Sequence, residues 1–282
     1  SAFSINVDDG VVYTDDSGDA LLFPVYTSVI DSIAGLDSFT SYSVTNTSPV
    51  ETLAVKIRFR EQRRSMDVLD VIVVLSPDDK FDFWVDQAEG ERPTMRWTDN
   101  SCVIGVPGGA KSVQFPAPSL MVGSTRGPHP DNPGVTPIPR AVDADMSVGH
   151  IEVIGMANLQ NAVRGGSNLA DAAAHGPDGV PANCNTLRTA FLSREYVDQI
   201  IGATDAGNWL IGRYVITARG AGIEMGSNAI SLKNTFYRPY LTAQSDELCT
   251  RTTINPANDL THPCHSLYAW DAQEFDHPHL GD

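Results

Sequence analysis

The chain has 282 residues, 41% of them hydrophobic, with 35 acidic against 19 basic side chains and a formal net charge of −16. That length and apolar content suit one large domain or two modest ones and exclude a disordered chain. Such a charge repels nucleic acid and anionic lipid surfaces, and no apolar run approaches the ~18 residues of a membrane span. Residues 1–13 alternate weakly through Phe3, Ile5, Val7, Val11 and Tyr13, which predicts an edge strand. Asp15, Asp16, Ser17, Gly18 and Asp19 follow as a turn. Residues 21–27 and 39–46 read as strands, and Asn46-Thr47-Ser48-Pro49 breaks the second. Within that break Asn46-Thr47-Ser48 spells a glycosylation acceptor.

Residues 52–85 carry the clearest pattern. Leu53, Val55, Ile57 and Phe59 point one way while Ala54, Lys56, Arg58 and Arg60 point the other. Leu69, Val71, Val73 and Leu75 repeat that period, and Phe81, Phe83 and Val85 resume it after the turn Ser76-Pro77-Asp78-Asp79. A period of two over three runs predicts antiparallel strands with one buried face. With residues 94–97 and 102–104 this gives about seven short strands, the signature of a sandwich. We therefore expect a mainly β chain: an antiparallel β-sandwich, Ig-like or jelly-roll-like, over residues 1–105.

From 106 to 140 prolines and glycines crowd together, which predicts a long extended connection on the surface. Residues 141–282 form a second β-rich part that either stands alone or completes the same domain. Its expected elements are a strand at 150–157, short helices between 168 and 201, strands at 208–218 and 227–237, and an irregular tail. Asn183 is placed to cap a helix over 184–192.

Four cysteines, Cys102, Cys184, Cys249 and Cys264, form no C-x-x-C pair, so zinc-ribbon and thioredoxin-like readings have no support. The first residue is Ser1, the kind of end that a secretory signal cut after a small residue leaves. An even cysteine count in an exported chain favours two disulfides. Of three pairings we prefer Cys249–Cys264 with Cys102–Cys184; the first closes a short loop worth about 3 kcal/mol in the chain-entropy model.

Candidate chemistry is sparse. Gly105-Val106-Pro107-Gly108-Gly109-Ala110-Lys111-Ser112 approaches a phosphate loop, but Pro116 and Pro118 prevent the helix such a loop must open. Asp15, Ser17 and Asp19 alternate like calcium ligands, with Asp8 and Asp9 nearby, although the glycine and glutamate of an EF-hand are missing. A looser calcium site competes there with a solvated hairpin end, the plainer reading. In the tail His262, His265, His277 and His279, with Asp271, Glu274 and Asp276, could hold zinc or copper; their spacing matches no catalytic signature, and a polar surface tail is preferred. No G-x-S-x-G elbow occurs, and His175 reads as a histidine at a helix end. Trp84, Trp97 and Trp209 could form a sugar platform, although tryptophans on strands more often pack.

Leu21-Leu22-Phe23-Pro24-Val25-Tyr26, Ser43-Val44-Thr45-Asn46-Thr47, and residues 54–61 and 70–85 resemble the opening module of large secreted proteins of Gram-negative bacteria with no assigned activity. His175-Gly176-Pro177-Asp178-Gly179-Val180-Pro181-Ala182-Asn183-Cys184 and residues 268–282 resemble later segments of the same group. The resemblance implies export and a cell-surface or extracellular role, and it transfers no catalytic residue.

The preferred functional expectation is a secreted, non-enzymatic structural subunit of an extracellular layer, sheath or filament, self-associating and assisted by calcium. Phe3, Ile5 and Val7 have the alternation of a donated strand. A module binding glycan or another surface polymer is the alternative, and a metal-dependent extracellular enzyme using the tail histidines is the second.

Overall fold

The computed structural model describes residues 6–7, 10–13, 16–31, 33–62, 65, 67–115, 146–235, 239 and 241. Its strands in chain order are β1 (Asn6–Val7), β2 (Gly10–Tyr13), β3 (Ala20–Thr27), β4 (Ile30–Asp31), β5 (Leu36–Asn46), β6 (Leu53–Glu61), β7 (Asp67–Leu75), β8 (Lys80–Asp86), β9 (Thr94–Trp97), β10 (Cys102–Ile104) and β11 (Ser112–Gln114). Then come β12 (Val148–Asn158), a small hairpin of β13 (Val163–Arg164) and β14 (Ser167–Asn168), three short helices, α1 (Leu169–Ala173), α2 (Cys184–Ala190) and α3 (Arg194–Val197), and finally β15 (Leu210–Ala218), β16 (Ile223–Asn228) and β17 (Ile230–Lys233).

The fold is mainly β, an antiparallel sandwich. One sheet runs β1-β2-β17-β3-β12-β6-β7-β10 and the other β11-β9-β8-β5-β15-β16, with β4 added to β5. Strands from both sides of the proline-rich stretch enter both sheets. The alternation read from residues 52–85 produces β6, β7 and β8, and their apolar faces meet between the sheets. Leu53, Val55, Ile57 and Phe59 pack there with Val71, Val73, Phe81, Phe83 and Val85. Tyr42 stacks on Phe83 with ring centroids 4.9 Å apart.

The opposite face differs from expectation. Ala54, Lys56, Arg58 and Arg60 are buried too, so β6 has no solvent face. A second apolar layer explains part of this. Ala54, Ile72, Val74, Ile154 and Met156 carry Leu169, Leu187, Phe191 and Val197 from the helices. The helices are short, and their ends rest on side-chain caps: Asn168 Oδ1 accepts from the Ala170 and Asp171 amides, and Asn183 Oδ1 accepts from Thr186 N at 3.1 Å. The Cys102–Cys184 disulfide, with Cα atoms 5.5 Å apart, staples the start of α2 to β10.

Two further differences have local causes. The start of the 106–140 stretch is not a surface arm, because β11 pairs with β9 and Phe115 is buried in the inter-sheet core. The strand expected over 227–237 is divided between β16, which pairs with β15, and β17, which pairs with β2 and β3 in the other sheet. At the opposite end of the chain order, β3 bulges. Phe23 pairs with Ile151 and Tyr26 with Gly149, so Pro24 and Val25 both oppose His150. The extra residue lets both Phe23 and Tyr26 face inward, and it places proline where no ladder donor is needed.

Candidate functional site

The buried charges come first, because burying an ion is costly unless it is paired. Antiparallel register sets Arg58 on β6 between Asp70 on β7 and Glu152 on β12. Arg58 Nε lies 3.6 Å from Asp70 Oδ1, and Arg58 Nη1 lies 3.5 Å from Glu152 Oε2. Lys56 Nζ reaches Asp70 Oδ2 at 3.5 Å. Arg60 Nε donates to Glu152 Oε2 at 3.3 Å, and its Nη1 donates to Ser65 O at 3.1 Å. The carboxylates are engaged by cations and lie away from solvent, so this ladder binds three strands together rather than offering a reactive group.

A second cluster was not visible in the sequence. Ser76 Oγ lies 2.9 Å from His175 Nδ1, and Asp79 Oδ2 lies 3.8 Å from the same nitrogen. A nucleophilic triad needs serine on one ring nitrogen and the carboxylate on the other. Here both partners address Nδ1, so the histidine cannot relay a proton from Ser76 toward Asp79 across its ring. Asp79 also accepts from Ser76 N at 3.2 Å and, through Oδ1, from Lys80 N at 2.8 Å. Burial raises the Asp79 carboxyl above its ordinary range; His175 and the two amides oppose that shift, and Asp99 adds to it. The cluster ties the β7–β8 turn to the loop after α1. His175 therefore holds two elements together instead of ending a helix dipole.

The other residues singled out in the sequence are dispersed. Asp8, Asp9 and Asp15 of the calcium reading lie outside the described residues, as do Cys249 and Cys264 and the zinc or copper candidates His262, His265, His277 and His279. Of the remaining calcium candidates, Ser17 is half-buried and Asp19 is buried. Beside them Asp16 pairs with Lys233, whose hydrogen bond holds the Asp16 carboxyl below its usual range. Among the described residues no three His, Cys, Asp or Glu side chains are grouped to hold a metal ion. The glycine-rich stretch 105–112 joins β10 to β11, and Lys111 Nζ donates to Asp99 O and to Asn100 Oδ1. Asn46 corrects the glycosylation reading. It is fully buried, its Nδ2 donates to Glu51 O at 2.7 Å and Ser76 O at 2.9 Å, and its Oδ1 accepts from Ser48 N. Trp97 lies in the inter-sheet core, so it can belong to no exposed sugar platform. Trp84 donates Nε1 to Asp86 Oδ2 at 3.0 Å, while Trp209 is exposed. Val7 pairs with Gly10 in its own chain's β1–β2 hairpin; Phe3 and Ile5 lie outside the described residues.

The surface feature that the sequence did not reveal is β16. Among the described residues it is the last strand of its sheet, and all six of its residues are exposed. Register with β15 puts Ile223 opposite Ala218, Met225 opposite Ile216 and Ser227 opposite Tyr214. Tyr214 packs against the inter-sheet core, so this face is the inner face of the sheet, continued past the end of the core. Leu36 lies on the same face, two residues before Ser38, which pairs with Ala218. Leu36, Ile223 and Met225 are 52%, 55% and 62% exposed. Native edges of this kind usually carry lysine, proline or a bulge. Ile223-Glu224-Met225-Gly226-Ser227-Asn228 contains no lysine and no proline, and its β15 register runs unbroken. A strand that ends its sheet among the described residues, beside exposed apolar side chains, has the chemistry to add another extended strand.

No family model, curated protein or solved structure matches this chain.

Proposed function

We propose that this protein is a secreted, non-enzymatic structural subunit of an extracellular assembly (a surface layer, sheath or filament) in which copies join through sheet edges. The observation that carries this reading is β16, the last strand of its sheet among the described residues, with Ile223 and Met225 exposed and no lysine or proline along it. The disulfide fits an oxidising compartment and the resemblance to large secreted proteins fits export. The ionisable clusters favour a structural role, because the buried ladder and the Ser76–Asp79–His175 contact each link secondary-structure elements. A chain of net charge −16 must suppress repulsion when copies meet, and calcium screening or bridging supplies that.

Electron microscopy of native material before and after chelation tests the reading. Ordered arrays that loosen without calcium support it. A monodisperse monomer at high concentration with calcium present contradicts it.

A further inference from the structure

The buried charge ladder of β6 offers no group to an outside substrate, yet two of its own members can react with each other. We propose that Lys56 and Asp70 join through an amide between Lys56 Nζ and Asp70 Cγ, so that β6 and β7 are covalently clipped inside their sheet. This cross-link does not need the structural-subunit reading, and its failure would leave that reading standing.

Register selects the pair. Lys56 lies opposite Ile72 and Arg58 opposite Asp70, so Lys56 and Asp70 are diagonal neighbours on one face. The lysine stem spans that diagonal and brings Nζ to 3.5 Å from Asp70 Oδ2, with the two side chains 0% and 1% exposed. The ladder's other cations, Arg58 and Arg60, carry guanidinium groups that stay protonated and are poor nucleophiles. Lys80 and Asp82 approach more closely, at 2.7 Å, but they are exposed, so water solvates both ions and competes with any reaction between them.

The ammonium of Lys56 and the carboxylate of Asp70 hold between them everything the reaction consumes. Nζ passes one proton to Oδ2, and its lone pair then attacks Cγ to form the N–C bond. Negative charge builds on Oδ1, where Arg58 Nε lies 3.6 Å away and stabilises it. A second proton moves from Nζ to Oδ2, the Cγ–Oδ2 bond breaks with its electron pair, and water leaves. The amide keeps one N–H. Fixed geometry stands in for concentration, since the fold holds the amine against the carboxyl for the life of the protein. The product replaces two buried ions, each costly to desolvate, with a neutral amide.

The test is the intact mass of the wild type and of Lys56→Arg, each folded and then denatured and reduced, followed by proteolysis and fragment sequencing by mass spectrometry. The wild type should be one water lighter than its sequence and should yield a branched peptide joining Lys56 to Asp70. Lys56→Arg keeps the charge but lacks the amine, and should have the full mass of its sequence. A wild type at full sequence mass overturns the proposal. So does a water loss that persists in Lys56→Arg, a branch between other residues, or a water loss without any branched peptide, as a succinimide at Asp178-Gly179 would give. If Lys56→Arg fails to fold, the wild-type mass and peptide decide alone.

Discussion

Glu152→Gln keeps the size and shape of a fully buried side chain and removes its charge. In the native sheet Arg60 Nε donates to Glu152 at 3.3 Å and Arg58 Nη1 lies 3.5 Å away, while Arg58 and Lys56 also share Asp70. After the substitution two buried guanidinium groups face a neutral amide. Removing one partner of a buried ion pair costs about 3–5 kcal/mol, because the remaining charge stays desolvated. Against a domain stability of about 5–15 kcal/mol that is at least about a fifth of the whole. With a urea dependence of about 2–3 kcal/mol/M, the unfolding midpoint falls by about 1–2.5 M. The control is Asp82→Asn. Lys80 and Asp82 are closer, at 2.7 Å, but 55% and 51% exposed, and such pairs contribute about 0–1 kcal/mol. Distance ranks the two pairs one way and desolvation the other. Urea unfolding of both variants decides between them: equal midpoints for Glu152→Gln and Asp82→Asn would refute the reasoning.

The Cys102–Cys184 bridge spans 82 residues, so replacing both cysteines with alanine should cost about 4–5 kcal/mol in the chain-entropy model; chemical denaturation measures it, and a loss below about 1 kcal/mol contradicts it. The raised carboxyl of Asp79 has a definite sign. Its folded state holds the proton more tightly than the unfolded chain, so its contribution to stability is fullest below the ordinary aspartate value of 3.8 and falls as pH rises toward the raised folded value. The stability of Asp79→Asn relative to wild type should therefore increase between about pH 3 and pH 6, whatever constant offset the lost hydrogen bonds add; a flat or falling difference contradicts this. A Cβ at Gly149 would lie 1.9 Å from Arg60 O and 2.7 Å from the Tyr26 ring, both held in the sheet. Gly149→Ala should destabilise by more than about 2 kcal/mol in thermal unfolding, and an unchanged Tm would remove the close-approach explanation.

The sheets were legible where one face is apolar and the other polar. Residues 53–61, 69–75 and 81–85 announce β6, β7 and β8 because period two is what a sheet with one core face selects. The same pattern misled about the second face. Lysine and arginine read as solvent-facing, since burying them is costly, and nothing local reveals that Asp70 and Glu152 arrive from neighbouring strands to pair with them. β16 was hidden for a different reason. Gly220, Gly222 and Gly226 look like loop punctuation, whereas only Gly222 has the positive φ, 64°, of a turn; Gly226 sits inside the strand opposite Val215. Ser76 and His175 meet only through tertiary packing, so no spacing could have joined them. The pairing of Cys102 with Cys184 was one of three open combinations, and the structure holds it.

Sedimentation velocity of the wild type and Met225→Lys over a range of concentrations, with calcium present, tests the central claim most directly. A charge placed on the apolar edge blocks strand addition. The wild type should shift to larger species as concentration rises, and Met225→Lys should need at least about tenfold more protein to do so. Identical, concentration-independent monomer profiles for both proteins would contradict assembly through the β16 edge.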